Sequence, residues 1–91
     1  MKLNVEFLGV ARQLAQTKGY LVEVPDQATY RDVLRSLAAK HPALIGPVII
    51  PKTFDLVRDM RLTVDGLHSV SNLEALPQDG QQITLMFEDI G

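Results

Sequence analysis

The amino-acid sequence predicts an α+β fold of the β-grasp kind, with a mixed sheet of four to five strands packed on one main helix. Three observations predict it. The first and last apolar segments alternate with period two. One amphipathic stretch with helical spacing lies between them. The order strand, strand, helix, strand, strand lets the outer two pair in parallel at the sheet centre, because the helical connection supplies the long crossover that parallel pairing requires. The 91 residues fit a single domain, residues 1–91, with residues 88–91 expected as a flexible tail.

Each element follows from local chemistry. Leu3, Val5 and Phe7 alternate with Lys2, Asn4 and Glu6, which predicts a first strand buried on one face. Gly9 breaks it, and residues 10–17 form a short helical turn expected to point Val10, Leu14 and Ala15 inward before Lys18-Gly19 turns the chain. Tyr20 to Val24, stopped by Pro25, gives a second strand and an antiparallel hairpin. Thr29 with Asp32 three positions on is a capping-box pattern that starts a helix. Its inner face is Tyr30, Val33, Leu34, Leu37 and Ala38, and Arg31, Arg35, Ser36 and Lys40 take the other. The helix ends at His41-Pro42, since the residue before proline is pushed out of helical geometry.

Residues 43–59, with Pro47 and Pro51 around Val48-Ile49-Ile50, read as an irregular excursion, either a bent edge strand or a loop packed on the core. Arg61 to Val64 alternates again and closes on Asp65-Gly66, a strong turn dipeptide. Residues 71–76 are expected to form one helical turn with Leu73 and Leu76 inward. Pro77 to Gly80 turns the chain into the last strand, Ile83 to Phe87.

Composition narrows the function. With 46% hydrophobic and 22% charged residues the chain reads as an ordinary folded domain. It has no cysteine, which excludes disulfides, thiolate metal sites and cysteine nucleophiles and favours a cytoplasmic location. The longest apolar runs fall far short of the ~20 residues of a membrane span. Residues 1–61 hold all nine Lys and Arg with six acids, whereas residues 62–91 hold five acids and no Lys or Arg, giving +3 and −5. An acidic last third argues against a nucleic-acid surface there and for a basic partner surface.

No intrinsic catalytic site is expected. There is no glycine-rich phosphate loop, and Thr53, Ser69 and Ser71 have no base in a recognisable motif. His41 and His68, far apart in sequence, do not predict a shared metal site; His41 is expected to stabilise the end of the helix and His68 to face solvent. Glu88 and Asp89 are neighbours in an extended segment and point to opposite sides, so they read as partner-binding charges and not as an acid/base pair. Met86 either joins an exposed apolar docking patch or fills the core beneath the helix. The most informative stretch is the last one, where the final strand runs through Glu88-Asp89-Ile90 to Gly91 and so presents a carboxylate on a thin, unbranched end.

Taken together, Val5-Glu6-Phe7 with Ala11 to Ala15, the helix from Thr29 to its Leu37-Ala38-Ala39-Lys40-His41-Pro42-Ala43-Leu44 end, Val64-Asp65-Gly66, and Leu76-Pro77-Gln78-Asp79-Gly80 resemble the MoaD/ThiS-like, ubiquitin-related sulfur carriers, above all the small subunit of molybdopterin synthase. The resemblance spans nearly the whole chain. It implies a protein cosubstrate and not an enzyme. An adenylyltransferase of the ubiquitin-activating type would use ATP to adenylate the carboxylate of Gly91, sulfur would replace AMP, and the thiocarboxylate would serve molybdenum-cofactor biosynthesis on a synthase large subunit. Phe87, Glu88, Asp89 and Ile90 would be the segment that partners read, with no bound cofactor. The family ends in Gly-Gly, whereas this sequence ends Asp89-Ile90-Gly91. Three readings therefore stand open: a carrier that works with one glycine, a chain cut from a longer product, or a binding module or protein modifier without sulfur chemistry.

Overall fold

The computed structural model describes residues 1–87. Along the chain run β1 (Lys2–Phe7), α1 (Val10–Ala15), β2 (Gly19–Glu23), α2 (Tyr30–Lys40), a 3-10 turn (Pro42–Leu44), β3 (Met60–Val64), β4 (His68–Ser69) and β5 (Gln82–Phe87). The sheet order is β2-β1-β5-β3-β4. β1 and β5 pair in parallel at the centre, Val5 opposite Ile83 and Phe7 opposite Leu85, while the other pairs are antiparallel. This is the β-grasp arrangement expected from the sequence, with β4 as a two-residue fifth strand beyond the Asp65-Gly66 turn.

Period-two alternation puts Leu3, Val5, Phe7, Val22, Leu62, Ile83 and Leu85 on the face that meets Val33, Leu34, Leu37 and Ala38 of α2, all of them buried. Each of these Val, Leu, Ile and Phe side chains contributes roughly 1.5–3 kcal/mol by leaving water, so this face dominates the stability of the domain. The start of α2 is fully satisfied. Thr29 Oγ1 accepts the N–H of Asp32, and Asp32 Oδ2 accepts the N–H of Thr29 at 3.0 Å. The next two amides, Tyr30 and Arg31, donate to the carbonyls of Ala75 and Leu73 at 3.1 and 2.9 Å. The loop before β5 thus completes the helix cap.

The excursion is a loop packed on the core. Val48 and Ile49 are fully buried, and single bridges join Ile49 to Ile45 and Leu56. Arg31 holds its outer end by pairing with Asp55 at 2.6 Å, donating to the Thr53 carbonyl at 2.6 Å and pairing with Glu74. The guanidinium of Arg35 stands 5.1 Å over the Phe54 ring.

Four expectations are corrected. Val10 is exposed, and Ala11 faces inward with Ala15, because small side chains at four-residue spacing let α1 lie close to its neighbours. Residues 71–76 form a turn closed by the Ala75 N–H on the Asn72 carbonyl, without a helical element. Leu76 is exposed, since Ala75 and Pro77 on either side take the inward positions. The His41 ring does not serve the helix end: only its backbone does, donating to the Leu37 carbonyl at 2.8 Å.

Candidate functional site

The central strand β5 directs the chain toward the segment that the sequence singled out. Its described part finishes at the same end of the sheet as β1, because the two are parallel, and Leu8 donates its N–H to the Leu85 carbonyl at 3.1 Å to extend that pairing. Phe87, the last described residue, is half-buried and lies opposite Met60 on β3. Met86 is half-buried and lies opposite Arg61. Since Ile83 and Leu85 point into the core, alternation places Met86 with Gln82 and Thr84 on the face of the sheet away from α2. Glu88, Asp89, Ile90 and Gly91 lie outside the described residues.

Around this exit the surface is partly apolar and partly cationic. Leu8 and Val10 are exposed where β1 turns into α1. Beside α1 lies a shallow cavity of about 610 Å³ lined by Gly9, Arg12, Gln13, Gln16, Thr17 and Lys18. Lys18, whose carbonyl accepts the N–H of Phe7, and Arg12 of α1 lie beside the end of β1, and of the five acids of the last third Glu88 and Asp89 follow β5 in the sequence. On the open sheet face the Thr84 hydroxyl donates to Glu6 Oε1 at 3.2 Å, which fixes one polar pair on the central strands.

A second cluster escaped the sequence reading. Tyr20 Oη and His41 Nε2 are 2.8 Å apart, the His41 ring meets Phe7 edge-on at 5.6 Å, and Lys40 Nζ stands 4.0 Å over the Tyr20 ring. Burial, with Lys40 adding to it, holds the His41 imidazolium pKa below its usual value, and burial pushes the Tyr20 phenol up. A neutral His41 therefore joins the end of α2 to the β2 edge, and Lys40 supplies the cation at that end. Only aromatic composition hinted at this, because Tyr20 and His41 are distant in sequence. His68 is exposed on β4, as expected. Among the described residues no group of three or more His, Asp or Glu side chains is gathered to hold a metal, and no helix is long and apolar enough to cross a membrane.

No family model and no curated protein matches the sequence. Solved structures do. Small archaeal modifier protein 1 (SAMP1) from Haloferax volcanii superposes with a TM-score of 0.84 at 21% identity, over 100% of this chain and 99% of that one. The Amycolatopsis orientalis BexX/CysO complex matches with a TM-score of 0.72 at 20% identity, over 98% of each chain. The Helicobacter pylori complex of subunits 1 and 2 of molybdopterin-converting factor matches with a TM-score of 0.63 at 16% identity, over 100% of this chain and 99% of that one. At these identities the likeness establishes the fold, which is the ubiquitin-like β-grasp.

Proposed function

We propose that the chain is a ubiquitin-like sulfur carrier whose reactive group is the carboxylate of Gly91. The observation that carries the reading is the placement of β5: the central strand leads the chain to Phe87, and Gly91 follows four residues later. In the proposed cycle the carboxylate oxygen attacks the α-phosphorus of ATP on an adenylyltransferase of the ubiquitin-activating type, releasing pyrophosphate. A sulfur nucleophile then displaces AMP to give the thiocarboxylate. Glycine suits this step because it carries no Cβ to block the carbonyl or widen the tail. A synthase large subunit would receive the tail, with molybdopterin as the leading product, a reading supported by the likeness to the Helicobacter pylori complex of subunits 1 and 2 of molybdopterin-converting factor. Phe87, Glu88, Asp89 and Ile90 would be the residues read by both partners, with Met86 beside them on the open face. The setting is the cytoplasm, and the chain itself performs no catalysis.

A second reading, a modifier joined to lysines through the same carboxylate, is favoured by the likeness to small archaeal modifier protein 1. Deleting Gly91 distinguishes the readings. A carrier keeps partner binding and loses sulfur transfer; a modifier loses lysine-linked adducts in cell extract. A chain that keeps full function without Gly91 is neither.

A further inference from the structure

We propose that residues 50–59 form a strained strap, latched by Arg31 and Arg35, that opens as a unit while the sheet stays folded and so uncovers Val48 and Ile49. Three observations carry it. The first is backbone strain. Among the described residues five non-glycine residues have a left-handed φ, and three of them, Lys52 at +72°, Phe54 at +57° and Asp59 at +69°, fall inside this segment. The N–H of Thr53 donates to the Pro51 carbonyl at 2.9 Å across Lys52, which makes the rare and strained form of γ-turn. Phe54 follows two positions later, and for so bulky a residue this conformation is an outlier. Each such residue favours release of the segment about five- to thirtyfold over one in an ordinary conformation.

The second observation is how little apolar anchoring opposes that strain. None of residues 50–59 is fully buried, whereas Val48 and Ile49 before them and Met60 after them are. Phe54, Leu56 and Val57 are half-buried and pack against the core from outside. The third is the latch. Arg31, fixed on α2, reaches the Thr53 carbonyl and the Asp55 carboxylate, both at 2.6 Å, and pairs with Glu74 as well. Arg35, one turn on, covers the Phe54 ring. These contacts fall on the strained Phe54 and on its two neighbours. Within the strap, Phe54 donates to the Ile50 carbonyl at 3.0 Å and Ile50 to the Asp55 carbonyl at 2.7 Å, and Val57 donates to the Val48 carbonyl at 3.0 Å. Local hydrogen bonds and two guanidiniums, and not deep burial, therefore hold the strap shut. A segment anchored in this way opens at a lower cost than global unfolding.

The test is native-state amide exchange of the 15N-labelled chain at rising urea, read at Ile50, Phe54 and Val57 against the amides of β1 and β5. The expected result is that the strap amides exchange at least about tenfold faster at low urea and depend less steeply on it, because opening exposes less surface than unfolding. Lys52→Gly and Asp59→Gly, at exposed positions that leave the latch in place, should each slow strap exchange about two- to fivefold. Glycine adopts a left-handed φ freely, although its greater freedom in the open form offsets part of the gain. Arg35→Ala should speed strap exchange about two- to fivefold, the effect of one exposed cation–ring contact. Strap amides with the rate and urea dependence of β1 and β5 overturn the proposal, because the segment then opens only with the whole domain. Unchanged or faster strap exchange in either glycine variant overturns it as well, since the backbone then stores no strain there. Unchanged exchange in Arg35→Ala removes the latch and with it the proposal.

Discussion

Gly19→Ala tests the packing of the β1–β2 hairpin. Gly19 has φ +145° and sits so close to β1 that a Cβ there would lie 2.0 Å from the Val5 oxygen and 2.9 Å from the Glu6 Cα. Both are backbone atoms, so no side chain can move aside; the two strands must separate or β2 must change register. Gly66 is the natural control. Its φ is +69° and nothing lies within 4 Å of its added Cβ, so Gly66→Ala costs only the left-handed conformation, about 1–2 kcal/mol. Gly19→Ala carries a similar conformational cost plus about 1–3 kcal/mol of overpacking, for a total of about 2–5 kcal/mol. For a domain of this size each kcal/mol lowers Tm by about 4–8 °C. Thermal unfolding of both variants therefore gives a Tm for Gly19→Ala at least about 4 °C below that of Gly66→Ala. Amide exchange should locate the loss at β1 and β2. Equal melting of the two variants would refute the close approach of these strands.

Three further outcomes follow from the same contacts. Thr29→Ala removes the hydroxyl that caps α2 and costs about 1 kcal/mol, read as a lower urea midpoint with an unchanged slope. Protonating His41 is unfavourable in the folded state, whose pKa lies below the unfolded value of 6.5. Its contribution to stability is therefore present above pH 6.5 and lost as pH falls from there through the folded pKa, and His41→Gln should flatten that part of a stability–pH profile. Arg31→Ala frees Thr53, Asp55 and Glu74 together. Exchange of the Ile50 amide, which donates to the Asp55 carbonyl at 2.7 Å, should speed up while amides in β1 and β5 stay protected.

What was legible in the sequence is what local chemistry decides. The alternation of β1 and β5, the capping box of Thr29 and Asp32, and the Asp65-Gly66 turn each state their structure within a few residues. So the β-grasp order could be read without long-range information. The rest depends on tertiary contacts that no window contains. Arg31 looked like a solvated helix residue because its partners, Asp55 and Glu74, lie 24 and 43 positions away. Val10 outranks Ala11 in hydrophobicity, yet close helix packing favours the smaller side chain. His41 carried a plausible charge for a helix end until Phe7 and Tyr20 buried its ring. The tail chemistry assigned to Gly91 came from a resemblance and from the order of elements, and it falls beyond Phe87, where the described residues stop.

The carrier reading is tested most directly by the intact mass of a chain confirmed to end at Gly91, measured before and after incubation with its adenylyltransferase, ATP and a sulfur donor. The account predicts a gain equal to exchanging one oxygen for sulfur, mapped to Gly91 and absent when ATP is withheld. An unchanged mass with an enzyme shown to be active on its own carrier would contradict it.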